Sequence, residues 1–407
     1  MKILLINNQH FIMGGAHKVY FNTGDLLESM GHEVAYFSTL NLKNKQTLYS
    51  KFFVNTINPK KATFLEKIQT SFNYLYNKDV KNNLIDLINE FKPDIAHIHL
   101  FYGVLSISVL NVLKTKKIPI VHTVHDYRFL CPVNTFLDNK GNICEKCKNG
   151  KFYNCLLKKC SDNNFFQSFI IMLEGYYWRF FNNPLNLIDK FIFVSKFIEN
   201  KHINFNKKYS YKAEQLYNFS PEVIDKKTSF TEEKYYLFFG RLSNEKGIET
   251  LIDAFIDCKL NLIIAGSGEL ADYVENFADK YQNIKYVGFK SGLELNNLIK
   301  KAFYVVVPSE WYENNPMTII EAYKYQTPVI GARIGGIPEI IIQGVTGFLF
   351  NTKDKNDLVS AIKLAEDSKN NNYSEICSNA FIFANKNFNS ELHYKKLIKI
   401  YNNVINK

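Results

Sequence analysis

Nowhere in the 407 residues is there a hydrophobic run approaching the length of a bilayer span, a low-complexity tract or an Asp-x-Asp pair, and Trp, Pro and Gly number only 2, 10 and 19. A spanning helix needs about 20 consecutive apolar residues, so none is expected. The first apolar stretch, residues 3–6, is far shorter than a secretory signal core, which points to a cytoplasmic chain. Asn and Lys are scattered rather than blocked, so long disordered arms are not expected. With no Asp-x-Asp there is no obvious carboxylate pair to hold a bridging divalent cation.

What is present is largely apolar. At 46% hydrophobic, the chain is too long for one ordinary core and long enough for two well-buried domains. The formal charge of +11 is uneven: residues 1–210 hold 27 Lys+Arg against 15 Asp+Glu, whereas residues 211–407 hold 23 against 24. A basic first half attracts nucleic acid, lipid headgroups or small anions alike, and long-range electrostatics does not choose among them. Scattered solvated lysines explain the same charge equally well.

Short β-rich runs alternate with amphipathic helical patterns, the signature of parallel α/β units. Predicted strands in the first half are 2–7, 33–38, 94–97, 119–124 and 190–194. In the second half they are 235–239, 261–265, 284–287, 304–307, 328–330 and 347–350. The two sets read as two doubly wound sheets with a boundary near 205–215. A last helix is expected at about 389–406, carrying Leu392, Leu397, Ile400, Tyr401 and Val404 at roughly helical spacing.

The chemistry-bearing residues fall on turns after these strands, where open α/β sheets bind ligands. Gly240-Arg241-Leu242-Ser243-Asn244-Glu245-Lys246-Gly247 presents an Arg fork and a mobile Lys just ahead of a helix. Such a pair suits a diphosphate, although an ordinary basic turn would look the same. Gly266-Ser267-Gly268 and Gly288-Phe289 follow the next two strands, where glycine admits either a close ligand or a tight turn. The most informative stretch is Pro308-Ser309-Glu310-Trp311-Tyr312-Glu313-Asn314-Asn315-Pro316-Met317-Thr318-Ile319-Ile320-Glu321-Ala322. Pro316 fits the first turn of a helix, whose opening amides, around Asn315 to Thr318, form a seat for phosphate. Glu321 lies about a turn farther in and can accept hydrogen bonds from a diol, while Glu313 reaches a different part of the ligand. Gly335-Gly336-Ile337-Pro338-Glu339 adds a Gly-rich turn and a helix start.

In this order the motifs resemble those of the retaining GT-B glycosyltransferases of family 4 (glycosyl transferases group 1). Thr327-Pro328-Val329 and Thr346-Gly347 extend the match in the second half, and Gly14-Gly15-Ala16, His125-Asp126 and Val194-Ser195 carry a looser one in the first. One departure stands out: the family commonly has an aromatic and a Gly after the first Glu, where this chain has Asn314-Asn315-Pro316, so the sugar contacts are expected to differ from the usual pattern. The resemblance implies an α/β fold of two doubly wound, Rossmann-like domains facing a central cleft. Residues 1–210 would bind the acceptor, with a Cys-rich insertion at about 128–162; residues 211–385 would bind the nucleotide sugar; residues 386–407 would form a helix packing back on the first domain.

Carried across by position, the resemblance implies that Arg241 and Lys246 hold the donor diphosphate and stabilise its departure, and that Glu321 binds the ribose. Glu313 with Asn314, Asn315, Pro316, Met317 and Thr318 would hold the transferred sugar and its phosphate, beside Gly240, Gly266, Gly268 and Gly288. Gly15 and His125 would line the reacting centre, so the catalytic set would be His125, Arg241, Lys246 and Glu313. A His at a strand end is often only a hydrogen-bonded structural residue, and His125 takes its role from the resemblance alone. The implied activity is metal-independent hexosyl transfer with retention, from a nucleoside-diphosphate sugar and with no cofactor. The implied acceptor is a growing cell-surface polysaccharide (capsule or lipopolysaccharide) or a lipid-linked glycan. The enzyme would be cytoplasmic and peripheral at the anionic inner face of the membrane. Two other functions share part of these features. A sugar-nucleotide epimerase or hydrolase uses the same fold, and the Arg-Lys turn favours transfer over it. A zinc-containing nucleic-acid-binding protein would need a recognition signature that the chain lacks, so no nucleic-acid partner is expected.

Five of the seven cysteines, Cys131, Cys144, Cys147, Cys155 and Cys160, fall close together in the basic half, with Lys146, Lys148, Lys151, Lys158 and Lys159 among them. The Cys144-x-x-Cys147 spacing suits a structural zinc, with a redox pair or plain reduced thiols as the alternatives. This insertion is expected beside the acceptor opening, where it could touch substrate or an anionic membrane.

Overall fold

The computed structural model of the protein describes residues 1–56, 73–221 and 235–406. The chain divides into two compact units, Met1–Leu216 together with His393–Lys407, and Tyr217–Leu392. Each is built on a six-stranded sheet whose pairings are all parallel.

The first sheet contains β1 (Lys2–Ile6), β2 (Glu33–Phe37), β3 (Ile95–Ile98), β4 (Ile120–Val124), β5 (Lys190–Phe193) and β6 (Ala213–Gln215), in the order β2-β1-β3-β4-β5-β6. The second contains β7 (Tyr236–Arg241), β8 (Leu262–Ser267), β9 (Ile284–Tyr286), β10 (Tyr304–Val307), β11 (Val329–Ala332) and β12 (Gly347–Phe350), in the order β12-β11-β10-β7-β8-β9. A parallel sheet is covered on both faces, so its strands read as unbroken apolar runs. Ile3, Leu4, Leu5 and Ile6 all have no exposed surface, and Val305 and Val306 are the same. The eleven strands predicted from such runs are all present, with ends moved by one or two residues. The strand the sequence did not signal is β6, three half-buried residues at the sheet edge with no alternation to mark them.

Helices pack against both sheets, and one of them closes the first unit from the far end of the chain. The helix Ser390–Ile405 buries Leu397, Ile400, Tyr401 and Val404, one stripe at helical spacing. These four lie in one core with Ile3, Leu5, Val34 and Ile95, and the Tyr401 hydroxyl meets His97 Nδ1 at 2.6 Å.

Two of the five clustered cysteines are part of a packed core. All seven are free thiols. Cys147 and Cys155 lie with Phe152 and Met172 in a small core joining the helices Tyr153–Leu157 and Phe165–Phe180. Burial pushes the Cys131 thiol up to about 11 and the Cys147 thiol up to about 12, which keeps both protonated and apolar. Among the described residues no three His, Cys, Asp or Glu side chains are grouped as a metal site, so the structure gives the zinc expectation no support.

Candidate functional site

In the second sheet β7 comes first in the chain yet lies inside, with β8 on one side and β10 on the other. The chain winds outward from it in both directions, and the crevice beyond the C-terminal ends of β7 and β10 is where such sheets take ligands. Gly240 and Arg241 end β7, and the stretch from Pro308 to Glu313 follows β10.

Glycine makes the close approach of these turns feasible. Gly240 pairs with Gly266 across β7 and β8, and a Cβ on Gly266 would collide with the Gly240 carbonyl oxygen. Gly247 has φ +70°, caps the helix Ile248–Cys258 and faces the Pro308 carbonyl, which ties the β7 turn to the β10 turn.

Glu313 is the electrostatic centre of the crevice. It is 8% exposed. Its Oε1 receives Lys246 Nζ at 2.5 Å, Ser309 Oγ at 2.9 Å and Trp311 Nε1 at 2.9 Å. Burial alone would raise its pKa, but the Lys246 charge and the three hydrogen bonds outweigh that and hold the carboxyl below its ordinary value. Lys246 also lies over the Trp311 ring, 5.1 Å from its centre. Arg241, 60% exposed at its side chain, donates from Nη2 to Glu245 Oε1 at 2.6 Å, and Ser243 Oγ donates to the same oxygen at 2.7 Å. Both basic residues of the turn are thus positioned by carboxylates of their own unit.

The helix expected after Pro316 is Met317–Lys324, with Pro316 at its N-cap rather than inside the first turn. Its first amides, at Met317 and Thr318, precede the intrahelical ladder and point out along the helix axis. Glu321 lies half-buried one turn in. Asn315 is held by the loop at Asn218. Its side-chain oxygen accepts from the Asn218 amide at 2.8 Å and its carbonyl from Asn218 Nδ2 at 2.9 Å, so its side chain braces the loop from within. Asn314 and Thr318 are half-buried, Met317 is buried, and Gly268 and Gly288 take positive φ in the turns after β8 and β9.

The expected residues of the first half sit at the equivalent place on the first sheet. There β1 is flanked by β2 and β3, so the switch point lies beyond β1 and β3. Gly15 opens the helix Gly15–Ser29 after β1. His125 follows β4, and its Nε2 lies 2.9 Å from His99 Nδ1 with the two rings nearly parallel. Burial, aided by His17, pushes the His125 imidazole down to about 3, so it is neutral near pH 7. Asn7, fully buried, accepts from the Leu100 amide at 3.1 Å and steadies the loop after β3.

The sequence reading missed several of these partners: Ser309 and Trp311 on Glu313, Glu245 on Arg241 with Ser243 on Glu245, Asn218 on Asn315, and His99 on His125. Only the first had a signal. Ser309, Trp311 and Glu313 occupy alternate positions of a non-helical stretch, which places their side chains on one side.

The chain thus consists of two parallel Rossmann-like sheets, the second of which gathers a basic turn, a carboxylate and a helix start at its switch point. The description "Glycosyltransferase Family 4" matches residues 13–210 and "Glycosyl transferases group 1" matches residues 220–381. The chain belongs to the family 4, group 1 glycosyltransferases of GT-B fold. It is 34% identical over 194 residues to an uncharacterized glycosyltransferase of Methanocaldococcus jannaschii, a match covering 47% of this chain and 52% of that one. The chain thus spans about half the length of that relative. A 42.6 kDa protein in the cps region of Klebsiella pneumoniae is 23% identical over 391 residues, covering 91% of this chain and 95% of its own. Among solved structures, sucrose-phosphate synthase from Thermosynechococcus elongatus aligns with TM-score 0.69 at 18% identity, covering 99% and 98% of the two chains. The Anabaena protein HepE in complex with UDP-glucose aligns with TM-score 0.68 at 17% identity, covering 98% of each. At these identities the likeness is one of fold.

Proposed function

We propose that this protein transfers a hexosyl group from a nucleoside-diphosphate sugar to a glycan or lipid-linked acceptor, with retention at the anomeric carbon. The observation that carries this is the Lys246–Glu313 pair, held by Ser309 and Trp311 at the switch point beside Arg241. In this reading Lys246 and Arg241 exchange their carboxylate partners for the donor diphosphate and stabilise the charge that develops as it leaves. Glu313 stays ionised. Its Oε1 keeps Ser309 Oγ and Trp311 Nε1 as donors once Lys246 has turned to the diphosphate, which leaves Oε2 to accept from a sugar hydroxyl. The amides of Met317 and Thr318 take a phosphate oxygen, and Glu321 accepts from the ribose. The first unit, with Gly15 and neutral His125, is assigned to the acceptor side. The leaving-group charge is met by side-chain cations, in keeping with a sequence that has no Asp-x-Asp pair.

The Anabaena structure is a complex with UDP-glucose, which supports a nucleotide-sugar donor, and the Klebsiella relative lies in a cps region, which supports a polysaccharide acceptor. Such an acceptor grows at a membrane, where a peripheral enzyme with a basic first half is well placed.

The test is release of free nucleotide from a panel of nucleotide sugars. Arg241→Ala and Glu321→Ala are each expected to abolish it, and near-normal release in both would overturn the assignment. Anomeric coupling in the product, read by proton NMR, checks retention; an inverted product would sink that part.

A further inference from the structure

The helix Phe165–Phe180 of the first unit is nearly all apolar and aromatic, yet it buries only Ser168, Met172, Glu174 and Trp178. Phe165 and Phe166 at its start are 60% and 55% exposed, and Phe180 with the following Phe181 are 70% and 77% exposed. On the neighbouring helix Tyr153–Leu157, Tyr153 and Leu157 are 47% and 73% exposed one turn apart. At the C-terminal end of the helix these side chains are linked across the two elements, and the Tyr177 ring meets Phe181 at 5.8 Å. The Tyr176 hydroxyl accepts from the Tyr153 amide at 3.2 Å, and the Tyr176 ring stacks on Phe180 at 6.1 Å. The small core of Cys147, Cys155, Phe152 and Met172 holds the two helices together. A protein surface seldom leaves this many large aromatic side chains of one short helix to water without a use for them.

The same stretch of chain is cationic. Lys146, Lys148, Lys151, Lys159 and Arg179 are exposed, and Arg179 packs against Gly150, where a Cβ would strike its guanidinium. Asp162 is the one exposed acid from 143 to 181, since Glu145 is paired with Lys201 and Glu174 is buried against Arg128. Aromatic rings at the headgroup boundary and lysines against lipid phosphates are how a protein lies on an anionic bilayer. A protein partner would have to supply matching carboxylates for every one of these cations, whereas an anionic leaflet offers them over its whole area.

We infer that this face docks the protein on an anionic lipid surface, Phe180 and Phe181 entering the headgroup boundary while Lys148 and Lys151 engage lipid phosphates. The inference deepens the membrane-acceptor reading above and rests on it only for its purpose.

Full-length protein is sedimented with phosphatidylcholine vesicles, with and without about 30% phosphatidylglycerol, at low and high salt. The wild type is expected to pellet with the anionic vesicles and to be released by salt. Phe180→Ser with Phe181→Ser, and separately Lys148→Glu with Lys151→Glu, are each expected to lower the partition coefficient at least tenfold. The charge-matched pair Lys363→Glu with Lys369→Glu, exposed on the second unit, is expected to change it less than twofold. Unaltered thermal unfolding of each variant separates lost docking from lost fold. A wild type that stays in the supernatant, patch variants that pellet like wild type, equal binding to neutral vesicles, or an equal loss in the control pair would each overturn the inference. So would a dimer that forms without lipid and is dissolved by the Phe180 and Phe181 changes. Arg241→Ala should lose nucleotide release and still pellet, so failure of the catalytic assignment and failure of docking are distinguishable.

Discussion

At the scale of single residues, the decisive fact is that Lys246 and Glu313, 67 positions apart, share one buried ion pair. A buried charge left without its partner costs more than the pair contributes, roughly 3–5 kcal/mol when both members are fully buried. Lys246 keeps some contact with solvent, so Lys246→Ala is expected to destabilise the second unit by about 2 kcal/mol. Adding Glu313→Gln removes the orphaned charge and should restore most of that loss in urea unfolding, while nucleotide release stays absent in the single and the double variant. A double variant no more stable than Lys246→Ala would show that the pair is not what holds this turn. Glu313 was legible in the sequence as an acid beside an anion site. Trp311 was legible only as a side chain on the same side as Glu313; that its indole N–H is spent on the carboxylate was not.

At the scale of elements, the site depends on turns brought within van der Waals contact. Gly247 and Gly288 have nearly the same φ, +70° and +68°, but a Cβ at Gly247 would strike the Pro308 carbonyl, whereas at Gly288 it would meet nothing within 4 Å. Their alanine variants therefore share the left-handed backbone penalty, about 1 kcal/mol, and differ only in packing. Gly247→Ala is expected to cost roughly 2 kcal/mol more than Gly288→Ala, since forcing a methyl into a filled space costs about 1–3 kcal/mol. Thermal unfolding of the two variants measures the difference directly, and equal melting points would refute it. The strands around these turns were readable because both sheet faces are buried. The edge strand β6 was not readable, because a three-residue edge needs no apolar pattern.

At the scale of the whole molecule, the two units differ in how they meet acid. All nine histidines lie in the first unit and none in Tyr217–Leu392. Burial pushes His122 down to about 3 and His202 down to about 4; burial with His17 takes His125 to about 3, and burial with Lys45 takes His10 to about 4. Burial together with the neighbouring histidines holds His97 and His99 well below the ordinary value. For each, the unfolded chain binds a proton near pH 6.5 that the folded chain refuses, so stability is complete above that value and falls as pH drops toward the folded pKa. One such histidine contributes up to about 1.4 kcal/mol per pH unit in that window. The first unit is expected to unfold between pH 6 and about 4, while the second unit keeps its fold. Tryptophan fluorescence separates them, because Trp178 reports on the first unit and Trp311 on the second. Simultaneous loss of both signals would contradict it.

Local sequence patterns carried the architecture and the ordered turns from Gly240 to Glu339. Apolar runs on a parallel sheet and glycines in the turns after them are local requirements, and local requirements leave a local record. The tertiary structure decided what the residues touch. It set Lys246 on Glu313 rather than in solvent, turned Asn315 onto Asn218, stacked His125 on His99 and put Cys147 and Cys155 in a packing core beside a helix with exposed aromatic ends. Those are consequences of which turns meet in space, and a contact between positions far apart in the chain imposes no spacing that a single sequence can show.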